Sequence, residues 1–181
     1  MARKKKRDWF IASTHILDKT GHNGLTIDAL TTELSVTKGS FYHHFKNYQE
    51  FKVALLYFFE EEGTLDIIIQ TEEEENPRKK LRRLMNIVVK EVERYPPKVE
   101  VAMRIWALED KDAHNLMARV DKRRIDYVES LCQEIVTDQT QAHLMAEMMY
   151  TILVGSEHTT PPLSQTRLRV LFDEFTRLYQ I

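Results

Sequence analysis

The sequence predicts an all-α protein of about nine helices, and three observations carry the prediction. The 181-residue chain has only five glycines and five prolines, and the prolines stand at natural boundaries: Pro77, Pro96-Pro97 and Pro161-Pro162. Between them, apolar residues recur at i, i+3 and i+4, while period-two alternation is nearly absent. The one β-leaning run, Ile67-Ile68-Ile69, is too short and isolated to build a sheet. With 43% apolar and 30% charged residues, the composition is that of a folded globular chain.

The first helix runs from about Arg7 to Lys19, with Trp9, Phe10, Ser13, Ile16 and Leu17 on one face, and Gly21 and Gly24 end it. The second begins after Thr26, whose hydroxyl can cap free N–H groups, with Leu25 and Leu30 spaced as a hydrophobic staple. It stops near Leu34. Ser35-Val36 is a tight turn, and Thr37 caps a short third helix reaching about His43. Asn47 with Glu50 makes a capping box for the fourth, which continues through Phe51, Leu55, Phe58 and Phe59, past Gly63, to about Thr71.

Asn76-Pro77 opens the fifth helix, since proline suits the first helical position, and it carries Leu81, Leu84, Met85, Val88 and Val92 to about Arg94. The sixth spans about Lys98 to Leu108, the seventh about Ala113 to Val136, the eighth about Gln139 to Ser156 and the ninth about Ser164 to Tyr179. No repeat is visible.

Charge is distributed unevenly. The formal net charge is -2, yet residues 1–50 carry eight Lys/Arg against five Asp/Glu, and the remainder 18 against 23. A basic N-terminal piece on an acidic body points to an anionic partner for the first 50 residues, and Arg3-Lys4-Lys5-Lys6-Arg7 supplies most of the excess. The longest apolar run, Val53 to Phe59, is far short of the ~20 residues that span a bilayer. No signal peptide is readable, so a cytoplasmic location and no membrane partner are expected. The single cysteine, Cys132, excludes an intramolecular disulfide and a multi-cysteine zinc site. The seven histidines lack metal spacing, with His43-His44 adjacent and expected to point apart, so neither metal nor cofactor is expected.

Two helices joined by a turn of three or four residues, the second short and polar, make a helix-turn-helix. The second helix of such a pair fits the major groove, and helix N-termini hold phosphates through free N–H groups. Here the third helix presents Lys38, Ser40, Tyr42, His43 and His44 as donors, while Phe41 and Phe45 face inward.

Residues 9–55 resemble the DNA-binding domain of TetR-type (TetR/AcrR) one-component regulators. The likeness rests on Gly21, Thr26-Ile27 and Leu30, and then on Val36-Thr37-Lys38-Gly39-Ser40-Phe41-Tyr42-His43-His44-Phe45. Arg104-Ile105-Trp106-Ala107 and Val120-Asp121 with Arg124 add a weaker match. The resemblance implies a DNA-binding domain over residues 1–47 and a ligand-binding and dimerisation domain over 48–181. It also implies a homodimer whose last two helices form a four-helix bundle with the partner's, and repression of transcription relieved by a small molecule. By position, Lys38, Gly39, Ser40, Tyr42 and His43 would lie at base edges, and Thr26, Thr37, Tyr42 and His44 at phosphates.

Three positions depart from the family pattern. Ser35 stands where glycine is usual; that position often needs φ > 0, so serine should cost about 1 kcal/mol. Thr31 replaces a small alanine, and Tyr48 stands where lysine commonly meets a phosphate. Lys46 and the Arg3–Arg7 arm are expected to compensate, and Tyr48 stays with the DNA-facing candidates.

In the body, Arg124 breaks the stripe Met117, Val120, Val128, Leu131, Ile135 of the seventh helix. A buried charge needs a partner, and Asp121 and Glu91 are candidates. Arg124 is thus either a ligand-carboxylate anchor or a structural ion pair. Phe59, Met85, Met103, Trp106 and Met117 complete the candidate pocket, although such residues also fill ordinary cores. The eighth helix is apolar on more than one face. Met145, Met149, Ile152 and Leu153, with Leu168, Leu171, Phe172 and Phe175 of the ninth, are the expected dimer interface.

The sequence thus predicts a ligand-responsive regulator that reads a palindromic operator in double-stranded DNA as a homodimer. The alternative is a dimeric ligand sensor acting through a protein partner, its DNA-binding head a relic. No nucleophile–base or metal signature supports an enzyme, Cys132 and His143 being the only weak pointers.

Overall fold

A computed structural model describes residues 4–94 and 97–181, and the side chains of all of these except 91–94 and 97. The helices are α1 (Lys6–Thr20), α2 (Ile27–Leu34), α3 (Lys38–His44), α4 (Tyr48–Glu60), α5 (Asp66–Thr71), α6 (Pro77–Arg94), α7 (Pro97–Glu109), α8 (Lys111–Gln133), α9 (Gln139–His158) and α10 (Gln165–Tyr179). Among the described residues there is no strand. A π-helical turn, Glu61–Leu65, joins α4 to α5 without a break in the helical backbone. The expected long fourth helix therefore exists, with one extra residue's worth of slack at Gly63.

Caps explain the boundaries in the N-terminal part. The Thr26 hydroxyl accepts from the Ala29 amide at 3.1 Å, and Leu25 and Leu30 are both buried, as the staple requires. Asn47 Oδ1 accepts from the Glu50 amide at 2.8 Å, while Glu50 Oε2 reaches the Lys46 amide at 2.9 Å, one residue earlier than the expected box. Thr37 occupies the N-cap of α3, but its hydroxyl makes no cap bond; the Ser40 amide bonds the Thr37 carbonyl instead, at 3.0 Å. Ser35 has φ 54° and ψ 47°, the left-handed conformation that the family resemblance led us to expect at this position. Amide bonds from Ser35 to the Thr32 carbonyl and from Val36 to the Thr31 carbonyl close that turn.

The chain forms two compact units. One comprises the described residues up to Glu61 together with Lys98–Met117. It thus holds α1 to α4, α7 and the start of α8. Its head is built on aromatic rings. Trp9, Phe41, Phe45 and Phe51 are essentially without exposure, and Phe41 meets Trp9 at 5.5 Å, Phe45 at 5.2 Å and Phe51 at 5.5 Å between ring centroids. Edge-on pairs such as Phe41–Trp9 and Phe41–Phe51 add about 0.5–1.5 kcal/mol each beyond burial. They clamp α3 onto α1 and α4 from its inner side.

The other unit is Glu62–Pro97 with Ala118–Ile181. Its core joins α6 (Leu81, Met85) and α8 (Leu131, Cys132) to α9 (Met145, Met149) and α10 (Leu168, Phe172, Phe175). Five of the eight expected interface residues are taken up by this core. Met145, Met149, Leu168, Phe172 and Phe175 are buried inside the chain's own core, and Ile152 and Leu153 pack partly against it. A helix apolar on two faces gives one face to its own fold first. The face left outward carries Leu144, Met148, Val170 and Leu178, each 45–61% exposed, with Leu171 between core and surface.

Candidate nucleic-acid interface

The aromatic clamp fixes which side of α3 faces out. With Phe41 and Phe45 buried, Thr37, Lys38, Gly39, Tyr42 and His43 are exposed, and Ser40 and His44 are half-buried. Tyr42 is 55% exposed, a large aromatic side chain that the chain itself does not cover. Thr26 at the start of α2 and Lys46 before α4 are exposed as well. The face combines hydroxyls, imidazoles, an ammonium and a phenol, the groups that meet phosphates and base edges.

Details differ from the sequence expectation. The Tyr48 hydroxyl donates to the Leu25 carbonyl at 2.8 Å, so its proton is spent inside the head. Burial raises its pKa above the ordinary tyrosine value. Tyr48 thus ties α4 to the α1–α2 loop rather than standing out as a phosphate donor. The His43 and His44 rings do not point apart; they lie edge to face at 5.3 Å, and His44 also sits 6.1 Å from Trp9. Among the described residues, no cluster of three metal-ligating side chains occurs. Helix α1 begins at Lys6, and Lys6 and Arg7 lie over the Phe45 and Phe58 rings at 5.3 and 5.6 Å. Lys6 and Arg7 of the basic run are therefore helical and seated on the head. Arg3 lies outside the described residues.

Three polar contacts escaped sequence reasoning. Lys38 Nζ meets Asp28 Oδ1 at 2.6 Å across the α2–α3 turn, and this hydrogen bond raises the lysine pKa. His22 stacks on Trp106 at 6.1 Å and bonds Glu109 at 3.0 Å, tying the α1–α2 loop to α7. Lys52 is 7% exposed, and its ammonium meets Asp110 at 2.7 Å and Asp112 at 2.8 Å. Asp110 also accepts the Asp112 and Ala113 amides, which caps α8. Burial pulls the Lys52 pKa down, but the two carboxylates outweigh it and leave it raised. A signal for Lys52 was present: it is a charge within the apolar stripe of Phe51, Leu55 and Leu56.

The pocket candidates divide between the two units. Met103, Trp106 and Met117 are buried and Phe59 half-buried in the first, while Met85 lies in the core of the second. Arg124, half-buried in the second unit, donates from Nε to Thr64 Oγ1 at 3.1 Å and from its terminal nitrogen to the Gly63 carbonyl at 3.2 Å. Both partners lie in the π turn, where the ordinary i→i−4 bonding is interrupted. Of its expected partners, Asp121 accepts from the Tyr150 hydroxyl at 2.6 Å, and the Glu91 side chain lies outside the described residues.

No family model and no curated protein matches this sequence. Solved structures do match over nearly the whole chain. A TetR transcription regulator from Haloarcula marismortui superposes with a TM-score of 0.78 at 15% identity, covering 95% of this chain and 94% of its own. A protein of Saccharomonospora viridis assigned as a transcriptional regulator, solved with choline, gives 0.77 at 13% identity and 95% coverage of both. AibR, solved with isovaleryl coenzyme A and operator DNA, gives 0.67 at 15% identity, covering 91% of this chain and 94% of its own. The chain has the fold of the TetR-type transcriptional regulators. Within that TetR-type fold the exposed side of α3 belongs to the helix-turn-helix, and among the described residues no helix is long and apolar enough to cross a membrane.

Proposed function

We propose that this protein is a ligand-responsive transcriptional regulator, a repressor that binds a palindromic operator as a homodimer and is released by a small molecule. The observation that carries the reading is α3 itself. Its apolar side is consumed by the aromatic clamp, and its outward side exposes Lys38, Gly39, Tyr42 and His43 on the basic end of the chain. Neighbours of the same fold have been solved with operator DNA and with small organic ligands. Residues 1–47 serve as the DNA-binding domain and 48–181 as the ligand-binding and dimerisation domain. A DNA-binding role places the protein in the cytoplasm.

Dimerisation is supported by the outward apolar face of α9 and α10, where Leu144, Met148, Val170 and Leu178 want a partner surface. A two-fold dimer sets two copies of α3 about one DNA turn apart, roughly 34–36 Å. The effector acts by favouring one of two spacings, and the coupling cannot exceed its differential affinity for them. The effector-binding candidates are Phe59, Met103, Trp106 and Met117 within the first unit, and Met85 and Arg124 within the second, each unit taken by itself.

The test is selection of binding sites from random duplex DNA, with enriched pools titrated over a salt series. An inverted repeat of about 14–20 base pairs with a steep salt slope is the expected result. Tyr42→Ala should weaken binding to that repeat by about 1–3 kcal/mol without dissociating the dimer. Failure to enrich any site would refute the reading.

A further inference from the structure

Helix α3 contains a single Lys/Arg, Lys38, and its ammonium is held 2.6 Å from the Asp28 carboxylate in the first turn of α2. Both side chains are well exposed, at 60% and 72%. Lys38 and Tyr42, one turn apart, lie on the exposed side of α3. An exposed pair of this kind adds little to folding. A carboxylate on a DNA-facing surface is repelled by phosphates, so its placement beside the single Lys/Arg of α3 calls for another explanation.

We infer that Asp28 is a specificity-determining residue that acts by positioning Lys38 for a base edge and denying it to phosphates. The inference rests on the proposed DNA-binding function. A lysine ammonium has three donors. One is committed to Asp28, which fixes the ammonium in direction and leaves two donors for a base. A phosphate approaching this ammonium also approaches the Asp28 carboxylate and meets a nearly neutral pair. The guanine edge, with O6 and N7 acceptors and no net charge, meets no such repulsion. The pair therefore trades sequence-independent attraction for recognition of guanine. Phosphate contacts set affinity and salt dependence, whereas base contacts set specificity.

The experiment compares wild type, D28N, K38M and the double variant on the selected operator, on operators substituted at each base pair, and on random duplex, over a salt series. D28N keeps the side-chain shape, and an unchanged melting curve checks the fold. Expected for D28N are several-fold tighter binding to random duplex, a salt slope steeper by about one ion, and about tenfold loss of preference at one guanine. K38M should abolish preference at that same guanine. Adding D28N to K38M should leave base preference unchanged, because Asp28 sets preference only through Lys38. If D28N tightens all duplexes equally, or has the same effect in the K38M background, Asp28 is a general repulsive charge and the inference is overturned. A selective wild type with no guanine preference lost in K38M overturns it too. A wild type that selects no site overturns the proposed function, and this inference with it.

Discussion

Replacing Gly39 by alanine separates what α3 needs to fold from what it needs to meet DNA. Gly39 is the second residue of a seven-residue helix. A β-carbon built there would meet only Thr37 Oγ1 at 3.6 Å, an ordinary contact, and the glycine lacks the positive φ that Gly21 has. Among the described residues nothing requires glycine at this position. Glycine nevertheless costs about 0.5–1 kcal/mol relative to alanine in a helix. G39A should therefore stabilise the protein by up to that amount, a rise of about 1–4 °C in melting temperature for a chain of this size. If the outward side of α3 closes on a DNA groove, the added methyl stands in the contact, and operator affinity should fall at least about tenfold, near 1.4 kcal/mol. Calorimetric melting and fluorescence-anisotropy titration on the selected operator measure the two effects. Opposite signs are expected. A destabilised variant would refute the claim of open space at Gly39, and unchanged operator affinity would remove this face of α3 from the interface.

Lys52→Met should destabilise by about 2–3 kcal/mol in urea unfolding, below the 3–5 typical of a fully buried pair because Asp110 and Asp112 keep some water. The same cluster sets a pH window. Asp110 is desolvated, but the Lys52 hydrogen bond and charge outweigh this and hold its pKa below the ordinary 3.8. Its stabilisation is thus present above pH 3.8 and lost as pH falls through the lower folded value, and K52M should flatten that acid limb in melts from pH 5 to 2. Ser35→Gly should relieve the left-handed strain at φ 54° and stabilise by up to about 1 kcal/mol, the larger unfolded-state entropy of glycine offsetting part of it. Arg124→Met removes a donor from the Thr64 hydroxyl and from the Gly63 carbonyl, and should cost about 1–3 kcal/mol by thermal unfolding; full stability would mean the π turn does not depend on this guanidinium. Cys132 is fully buried and its thiol is pushed up to about 11 by desolvation, so a thiol reagent at pH 8 should label it only in denaturant.

The sequence by itself determined the helices and the inward side of α3. Periodicity, caps and proline positions act within one turn of chain, so Thr26, Asn47 and Ser164 mark the starts of α2, α4 and α10 without reference to the rest of the fold. The conformation of Ser35 was expected from the family resemblance, not from local spacing. Only the tertiary structure decided which apolar face of α9 is spent within the chain. Two stripes on one helix look alike in sequence, and the choice between them is made by α6, α8 and α10. It also decided the partners of charges. Lys52 finds Asp110 58 residues away, Arg124 finds Thr64 60 away, and His22 finds Glu109 87 away. Burial of a charge is readable from the stripe it interrupts, but its partner is fixed by helix packing, which local spacing does not encode.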